Sequence, residues 1–333
     1  MTAPLRRLAS LGAALVLAFG IAAANGVSAA EGKIRIALGD IESVELLHFL
    51  IALERAREKG IDIEVSSLKE EDIAAQAVVS GEADVGVGTP YALVQKVKAP
   101  IRMFFQMSAL RFYPVVNTEF YKEWKDLDGQ EIAVHSRGSG TEAIVKLMAQ
   151  RHGIEFSNIS YVPGSEVRAG AMLQGTIKAT IVDAANRRLI MEKGGEKFAV
   201  LPMEGVDASD EVLYANTEFL AANAEAVDVL IEALLTTLRE INANPAAVVD
   251  LREKYNLLPE LPADLEAEIG PYYEEAVAAK AFSLNGGGEE AVKTDFEFYG
   301  LAGQLEGDPA SLKVEDFWDF GPLNKALDRV GRV

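Results

Sequence analysis

Residues 34–65, IRIALGDIESVELLHFLIALERAREKGIDIEV, decide the fold class of this chain because they combine two hydrophobic periods. Residues 34–38 form a short apolar run, which is typical of a buried strand. Four leucines between residues 46 and 53 recur at helical spacing, and Gly60 ends that helix before a second strand-like run at residues 61–65. The pattern predicts a βαβ unit with two parallel strands.

The same alternation continues and then starts again, which predicts two α/β units in one chain of 333 residues. A single core stops growing at roughly 250 to 300 residues, so two separate cores are expected. After residue 222 the chain is mainly helical. The further strands are predicted at residues 85–87 and 101–107 in the first unit, and at residues 132–135, 159–162, 179–182 and 198–201 in the second.

A short internal repeat suggests how the two units are connected. Residues 116–120 (VNTEF) recur as residues 215–219 (ANTEF), one copy on each side of the second unit. We interpret the copies as two crossing segments that form a double hinge. The domain prediction is a signal peptide at 1–30, a discontinuous lobe one at 31–116 and 215–333 with a helical C-terminal part, and an inserted lobe two at 117–214. The alternative is chance recurrence of a short N-cap pattern.

The first thirty residues have the parts of a secretory signal peptide. Two arginines form a charged start, residues 8–24 are apolar, and the small residues 27–30 (VSAA) end the leader. We therefore expect export, with cleavage near Ala29 or Ala30. A retained membrane anchor is the alternative, but serine and glycine interrupt a stretch shorter than the ~20 apolar residues of a spanning helix. After cleavage, no direct membrane insertion is expected.

Charge and cysteine content exclude several classes of protein. The chain has 51 acidic and 32 basic residues and a formal net charge of -19. Nucleic acid is not expected as a partner, because its phosphates are bound through lysine and arginine. The absence of cysteine excludes disulfides, thiolate zinc sites and a lipid-modified cysteine anchor. An exported chain of this kind is expected to be a freely diffusing, monomeric protein of a bacterial periplasm.

A glycine-containing loop is the clearest candidate for ligand contact. Residues 135–141 (HSRGSGT) lie between a predicted strand and a predicted helix. Glycine lets the backbone approach a ligand closely, and the helix start offers free amides next to the hydroxyls of Ser139 and Thr141. This chemistry suits a carboxylate, sulfonate or phosphate. The alternative is an ordinary capped loop.

Polar residues follow most of the other predicted strands, where open α/β sheets bind ligands. Asp40 and Asp183 favour an amine or a hydrogen-bonding heterocycle rather than an anion, so the ligand charge stays open. An arginine near a strand end could pair with an anion, and Tyr214 could stack on an aromatic ligand. The candidate ligand-binding residues are Asp40, Ser43, Thr89, Gln106, Arg111, His135, Ser136, Arg137, Ser139, Gly140, Thr141, Ser165, Asp183, Asn186 and Tyr214.

Catalytic and metal chemistry have no visible basis in the sequence. The three histidines, at positions 48, 135 and 152, do not have metal-binding spacing. No paired acid and base and no activated nucleophile stand out. We therefore expect neither a catalytic residue, nor a metal ion, nor a cofactor.

Three segments give the chain a family resemblance. They are residues 81–88 (GEADVGVG), residues 124–134 (WKDLDGQEIAV) leading to 138–141 (GSGT), and residues 161–165 (YVPGS) leading to 171–175 (AMLQG). Together they resemble the sulfonate-, taurine- and nitrate-binding proteins grouped with the NMT1/THI5-like proteins, and the ending at residues 316–319 (DFWD) is also similar.

The resemblance implies the type II periplasmic-binding-protein fold, with the ligand in the cleft between two α/β lobes. It also implies delivery to an ABC permease with a cytoplasmic ATPase. By position, Thr89, the loop at residues 139–141 and Asp183 would face the ligand. His135 departs from the family pattern, which often has a small residue or proline there, and this puts the shape of the pocket in doubt.

The leading functional hypothesis is capture without chemistry. The protein would bind a small polar organic molecule, resembling a sulfonate, a carboxylate or a pyrimidine, with an anion favoured, and deliver it to an ABC importer. An enzyme on the same fold, either a pyrimidine synthase or an exported dehydratase, is the first alternative. A periplasmic ligand sensor is the second, and the sequence does not separate it from a transport protein.

Overall fold

A computed structural model describes residues 32–333, so the predicted signal peptide and its cleavage site lie outside the described residues. The strands are β1 (Gly32–Leu38), β2 (Ile61–Ser67), β3 (Val85–Val87), β4 (Ile101–Gln106), β5 (Tyr113–Asn117), β6 (Glu131–Val134), β7 (Asn158–Tyr161), β8 (Ala179–Val182), β9 (Phe198–Val200) and β10 (Val212–Asn216). The helices are α1 (Leu47–Glu58), α2 (Glu71–Ser80), α3 (Tyr91–Val97), α4 (Gly140–His152), α5 (Ser165–Leu173), α6 (Ala184–Gly194), α7 (Thr217–Ala222), α8 (Ala224–Ala243), α9 (Ala247–Tyr255), α10 (Ala263–Glu266), α11 (Ile269–Ala278), α12 (Glu289–Leu301) and α13 (Gly321–Val330). Short 3₁₀ turns occupy Trp124–Leu127, Gly195–Lys197, Pro309–Ser311 and Val314–Asp316.

The sheet of lobe one is built on the βαβ unit predicted from residues 34–65. Its strand order is β2-β1-β3-β10-β4. Strands β1 and β2 are parallel over seven residue pairs, from Gly32 opposite Ile61 to Leu38 opposite Ser67. The late strand β10 enters this sheet antiparallel to both β3 and β4.

The sheet of lobe two repeats the same plan in the second half of the chain. Its strand order is β7-β6-β8-β5-β9. Strands β6, β7 and β8 are parallel, whereas β5 runs antiparallel to β8 and β9. Each sheet therefore receives one antiparallel strand that follows a crossing between the lobes, and the carboxyl ends of the parallel strands lie at one edge of each sheet.

The two crossings lie at residues 107–112 and 201–211, and not at the repeated Asn-Thr-Glu-Phe segments. Strand β5 belongs to lobe two and β10 to lobe one, so the predicted boundaries at residues 116/117 and 214/215 fall inside these strands, a few residues after the crossings. The crossings pair with each other: the Leu110 amide donates to the Ala208 carbonyl at 2.8 Å, and the Asp210 amide donates to the Ser108 carbonyl at 3.0 Å. A double crossing exists, but the sequence repeat does not mark it.

The repeated segments turn out to be local caps. The Asn117 side chain accepts a hydrogen bond from the Glu119 amide at 3.0 Å, and the Asn216 side chain accepts one from the Glu218 amide at 2.8 Å. An asparagine that accepts from the amide two residues later is a common way to begin a turn or helix. The repeat therefore reflects the same local hydrogen bond at two places, and it does not mark a hinge.

The C-terminal helices pack mainly on lobe one and also touch lobe two. Helix α8 packs against α1 and α13. On the other side, Arg188 of α6 in lobe two forms ion pairs with Glu268, at 2.5 Å, and with Glu275 of α11. Arg187 also lies 3.0 Å from Glu275. Within residues 32–333, no helix has both the length and the apolarity needed to cross a bilayer.

One buried carboxylate ties the second crossing to α12. Asp295 is fully buried, and its carboxylate accepts hydrogen bonds from the Ser209 amide at 2.6 Å, the Ser209 hydroxyl at 2.7 Å and the Tyr91 hydroxyl at 2.5 Å. Burial raises the pKa of Asp295 to about 6, although the three hydrogen bonds act in the opposite direction. The crossing is thus anchored by a group whose replacement would leave buried donors unpaired.

We expect Asp295→Ala to lower the free energy of unfolding by about 2 to 3 kcal/mol, because the Ser209 and Tyr91 donors lose their acceptor inside the core. Urea titration followed by circular dichroism measures the change. Glu297→Ala on the exposed side of the same helix is the matched control and should change the free energy of unfolding by less than about 0.5 kcal/mol. Equal effects of the two variants would contradict the anchoring role.

Candidate functional site

The carboxyl edges of the two sheets face each other, and His135 joins them. His135 follows β6 of lobe two, and its Nε2 lies 2.8 Å from the carbonyl oxygen of Gly39, which follows β1 of lobe one. The Gly164 amide donates to Nδ1 at 3.2 Å, so Nδ1 is the acceptor and the Nε2 proton is donated to Gly39. Burial, together with the charge of Arg168, lowers the pKa of His135 and keeps the imidazole neutral.

Two further contacts close the same edge. The Glu71 amide at the start of α2 donates to the hydroxyl of Ser136 in lobe two at 3.3 Å. The side chain of Ile41 packs against Gly164, where a Cβ would lie 2.3 Å from the isoleucine Cδ1 and the backbone φ is +84°. Only glycine satisfies both conditions without a shift of the lobes. The structure is therefore one in which the lobes are in contact.

A cavity of about 40 Å³ lies behind these contacts. Because its walls come from both lobes and from the second crossing, it is the candidate ligand site. A larger groove of about 580 Å³ lies beside Arg102 and Thr217, and it takes no wall from lobe two. The polar residues that line the cavity are Asp40, Glu45, Glu71, His135, Asp210 and Glu211.

Five of these six polar side chains are carboxylates, and burial disfavours the charged forms of Asp40, Glu45, Glu71 and Asp210. Burial raises the pKa of Asp40 to about 7, even though 35% of its side-chain surface faces solvent. The pKa values of Glu45 and Asp210 lie well above their ordinary range, because burial and the neighbouring acids act in the same direction. The pKa of Glu71 is also raised by burial, which outweighs the hydrogen bonds from Thr89.

Arg168 is the cation buried beside this cluster, but its hydrogen bonds are directed elsewhere. It is 1% exposed, and its three nitrogens donate to the Ile181 carbonyl at 2.9 Å, the Val162 carbonyl at 2.7 Å and the Ser165 hydroxyl at 3.1 Å. Burial lowers the pKa of Arg168, and the negative charge of Asp40 has the largest effect in the opposite direction. Arg168 therefore fixes the loops of lobe two while neutralising the acids only at a distance.

The structure brings two of the fifteen predicted site residues, Asp40 and His135, to this cavity. Arg111 borders an adjoining cavity of about 20 Å³, where its guanidinium donates to the Leu110 carbonyl at 2.6 Å. Thr89 and Arg137 line a groove of about 350 Å³ at the outer rim of the cleft. The Arg137 guanidinium lies 5.0 Å from the centre of the Tyr161 ring.

The predicted anion-binding loop is already occupied by its own side chains. Ser139 caps α4: its hydroxyl accepts from the Glu142 amide at 3.3 Å and donates to the Ser136 carbonyl at 2.8 Å. The Gly138 amide donates to the Glu142 carboxylate at 2.9 Å, and the Thr141 hydroxyl accepts from the His135 amide at 3.0 Å. These amides and hydroxyls are therefore not free to bind an anion in this arrangement.

The Asp183 region is arranged in a similar way. Asp183 caps α6 by accepting from the Asn186 amide at 2.8 Å, and it also accepts from the Asn186 side chain at 2.8 Å. The Ser165 hydroxyl accepts from the Asp183 amide at 3.3 Å. All three residues are buried at the same edge of lobe two as His135.

The remaining predicted residues make structural contacts. Gln106 donates to the Ser209 hydroxyl at 2.8 Å in the crossing, and the Ser43 carbonyl accepts from the Leu46 amide at 3.2 Å. The Tyr214 ring covers Gly86, where a Cβ would lie 2.2 Å from it. Gly140 similarly lies against Leu110, so its lack of a side chain is a packing requirement.

Sequence reasoning missed four of the five cavity carboxylates. Glu45 and Glu71 lie a few residues after β1 and β2, near helix starts, where acidic residues are common for electrostatic reasons. Asp210 and Glu211 lie directly before β10, on a crossing whose position the sequence did not reveal. A general search for acids shortly after strand ends would have found the first pair but would not have separated it from ordinary helix caps.

A family model described as NMT1/THI5 like matches residues 55–248, more than half of the chain. No curated protein sequence matches the chain significantly. A structure from Bordetella bronchiseptica RB50 is similar with a TM-score of 0.74 and 21% identity, over 90% of this chain and 98% of the other. The periplasmic nitrate-binding protein NrtA from Synechocystis PCC 6803 has a TM-score of 0.66 and 12% identity, over 90% and 89%.

The alkanesulfonate-binding protein SsuA from Xanthomonas axonopodis pv. citri, bound to MOPS, has a TM-score of 0.64 and 15% identity, over 86% of this chain and 98% of the other. Similarity at this level of identity concerns the fold. It confirms the predicted fold class, a periplasmic-binding-protein fold of two α/β lobes.

We expect the ligand-free protein to melt at a higher temperature at pH 6.5 than at pH 8.5. The pKa of Asp40 rises from about 3.8 unfolded to about 7 folded, so its stabilising contribution is present at low pH and is lost as pH rises through about 7. His135 opposes this trend only weakly above pH 6.5, because its folded form is neutral and an unfolded histidine, which titrates near 6.5, loses its remaining charge early in this interval. Differential scanning calorimetry checks the sign.

The matched comparison is Asp40→Asn, which should flatten the dependence of the melting temperature on pH, against Glu82→Gln in an exposed turn, which should not. If the wild-type protein becomes more stable between pH 6.5 and 8.5, the raised pKa of the cavity acids is contradicted.

Proposed function

The chain belongs to the NMT1/THI5-like family, and from this premise we propose that it is the solute-binding component of an ABC importer. The observation that carries the proposal is the cavity of about 40 Å³ beside Asp40 and His135. It takes its walls from both lobes and from the second of two paired crossings. A site of this kind can enclose a ligand only when the lobes meet. Structures of similar fold include a nitrate-binding and an alkanesulfonate-binding protein, which supports such a role.

Capture would proceed by bending at the paired crossings, residues 107–112 and 201–211. The direct hydrogen bonds across the cavity edge are few, notably His135 with Gly39 and Glu71 with Ser136. Because hydrogen bonds of this kind contribute about 1 kcal/mol each, an open form lies within reach and a bound ligand would favour the closed one. The same proposal places the protein in the periplasm as a monomer, after cleavage of its leader. Its partners would be a permease and the ATPase of that permease.

We propose binding without turnover, because the one imidazole at the cavity is not free to transfer protons. Both ring nitrogens of His135 are engaged with the main chain of Gly39 and Gly164. A general acid or base must be within hydrogen-bonding reach of the substrate with a proton site available. Recovery of a chemically altered compound after incubation would favour the enzyme alternative, whereas a sensor would be distinguished by a receptor partner in place of a permease.

We expect protein purified gently from its source to retain a small molecule, which native mass spectrometry would detect as a mass difference that disappears on denaturation. Since a ligand at a thousandfold excess over Kd stabilises by about 4 kcal/mol, re-adding the compound should raise the melting temperature by several degrees. Absence of a retained compound together with no stabilisation by a broad panel of small solutes would contradict the proposal.

Lobe closure is tested by double electron–electron resonance, which the cysteine-free chain makes straightforward. Spin labels at Lys96→Cys in lobe one and Lys146→Cys in lobe two flank the rim groove. Addition of the retained compound should shorten and narrow their distance distribution. The control pair Lys33→Cys and Lys96→Cys lies within lobe one and should not change; equal behaviour of both pairs would refute closure.

A further inference from the structure

Two cavity carboxylates lack a hydrogen-bond donor among the described residues. Glu45 and Asp210 border both the cavity of about 40 Å³ and the adjoining cavity of about 20 Å³. Within residues 32–333, no side chain or amide donates a hydrogen bond to either carboxylate, and no lysine or arginine pairs with them. A carboxylate has about four acceptor sites, so these two present unused acceptors to an enclosed space.

A third acceptor at the same edge is also unused. The Asn186 side chain is 96% buried, and its nitrogen donates to Asp183 at 2.8 Å, which fixes the orientation of the amide. Its Oδ1 atom accepts no hydrogen bond from any described residue. A buried acceptor without a donor costs about 1 to 3 kcal/mol, so a donor from outside the described residues would stabilise this position, which lies beside the Asp183 carboxylate but does not line either cavity.

The basic groups nearby do not neutralise the cluster. Arg168 is bound to carbonyl and hydroxyl oxygens, and Arg111 donates to the Leu110 and Ala279 carbonyls. His48 lies 2.9 Å from Glu211 and so compensates one acid of the five at most. An anion in the cavity would add a further like charge at short range, where the effective dielectric constant is low, whereas a cation would remove the repulsion.

We propose that the cleft selects a small organic cation, an ammonium or amidinium compound whose N–H groups are bound by Glu45 and Asp210. This proposal rests on the proposed solute-binding function and names its ligand class. It departs from the anionic ligand that the glycine loop suggested, because the amides and hydroxyls of that loop are occupied by Glu142 and His135.

Proton release should accompany binding. Glu45 faces Asp40, Asp183, Asp210 and Glu211, and these acids, after burial, hold its pKa above the ordinary range. A bound cation stabilises the ionised carboxylates and expels their protons to buffer. Calorimetric titration in two buffers of different ionisation enthalpy counts the protons that are released.

The test uses three probes of nearly equal size that differ in charge, acetamidinium, acetamide and acetate, and the slightly larger anion methanesulfonate, each titrated at constant ionic strength and pH 7.5. Acetamidinium should bind with release of protons and raise the melting temperature, and the two anions should not bind. Binding of acetate or methanesulfonate in preference to acetamidinium overturns the proposal. Failure of all four probes to bind overturns it as well.

Isosteric variants assign the effect to the named acids. Glu45→Gln and Asp210→Asn should each weaken acetamidinium binding about tenfold or more, because each removes a charge-assisted hydrogen bond. Both variants should also raise the melting temperature of the ligand-free protein, since they replace partly buried carboxyl groups that repel one another when ionised. A purely structural carboxylate would give the opposite sign. Glu82→Gln, in an exposed turn, should change neither quantity.

The charge of the compound retained on purification distinguishes a failure of the cation proposal from a failure of the proposed solute-binding function. A retained cation supports both. A retained anion that closes the lobes overturns the cation proposal and leaves the solute-binding function standing. Lack of any retained compound, of lobe closure and of binding by the four probes overturns both together.

Discussion

The contact between His135 and the Gly39 carbonyl is the interaction on which the site depends. It joins the carboxyl edges of the two sheets, and it does so with a neutral imidazole whose second nitrogen is held by the Gly164 amide. Because both ring nitrogens are engaged, the side chain fixes the spacing of the lobes. That spacing encloses the cavity and buries the acids around it.

Enclosure between the lobes raises the pKa values of the cavity acids. Glu45, Glu71 and Asp210 would be unremarkable on an open cleft, since water screens their charges. Between the lobes they lose water and approach each other, which raises their pKa values. Binding sites commonly lower the stability of the ligand-free protein, because polar groups that await the ligand lack partners. The ligand supplies those partners, which stabilises the complex.

The crossings and the C-terminal helices set the limits of any lobe movement. The crossings pair with each other by backbone hydrogen bonds, and Asp295 of α12 holds the second crossing through Ser209. Ion pairs between Arg188 of α6 and the acids of α11 span the lobes at a second place. Partly exposed pairs of this kind contribute little energy, so they can separate during opening, whereas the buried anchor remains.

The sequence by itself determined the α/β class, the positions of eight of the ten strands and the two-lobed plan, because hydrophobic periodicity and glycine turns are local signals. It also pointed to Asp40 and His135, which end strands and meet at the cleft. Only the tertiary structure decided that the crossings lie at residues 107–112 and 201–211, since strand partners are chosen by contacts distant in sequence. The same holds for Glu45 and Asp210: their role arises from enclosure between lobes and from the absence of donors, and neither property is written in the residues beside them.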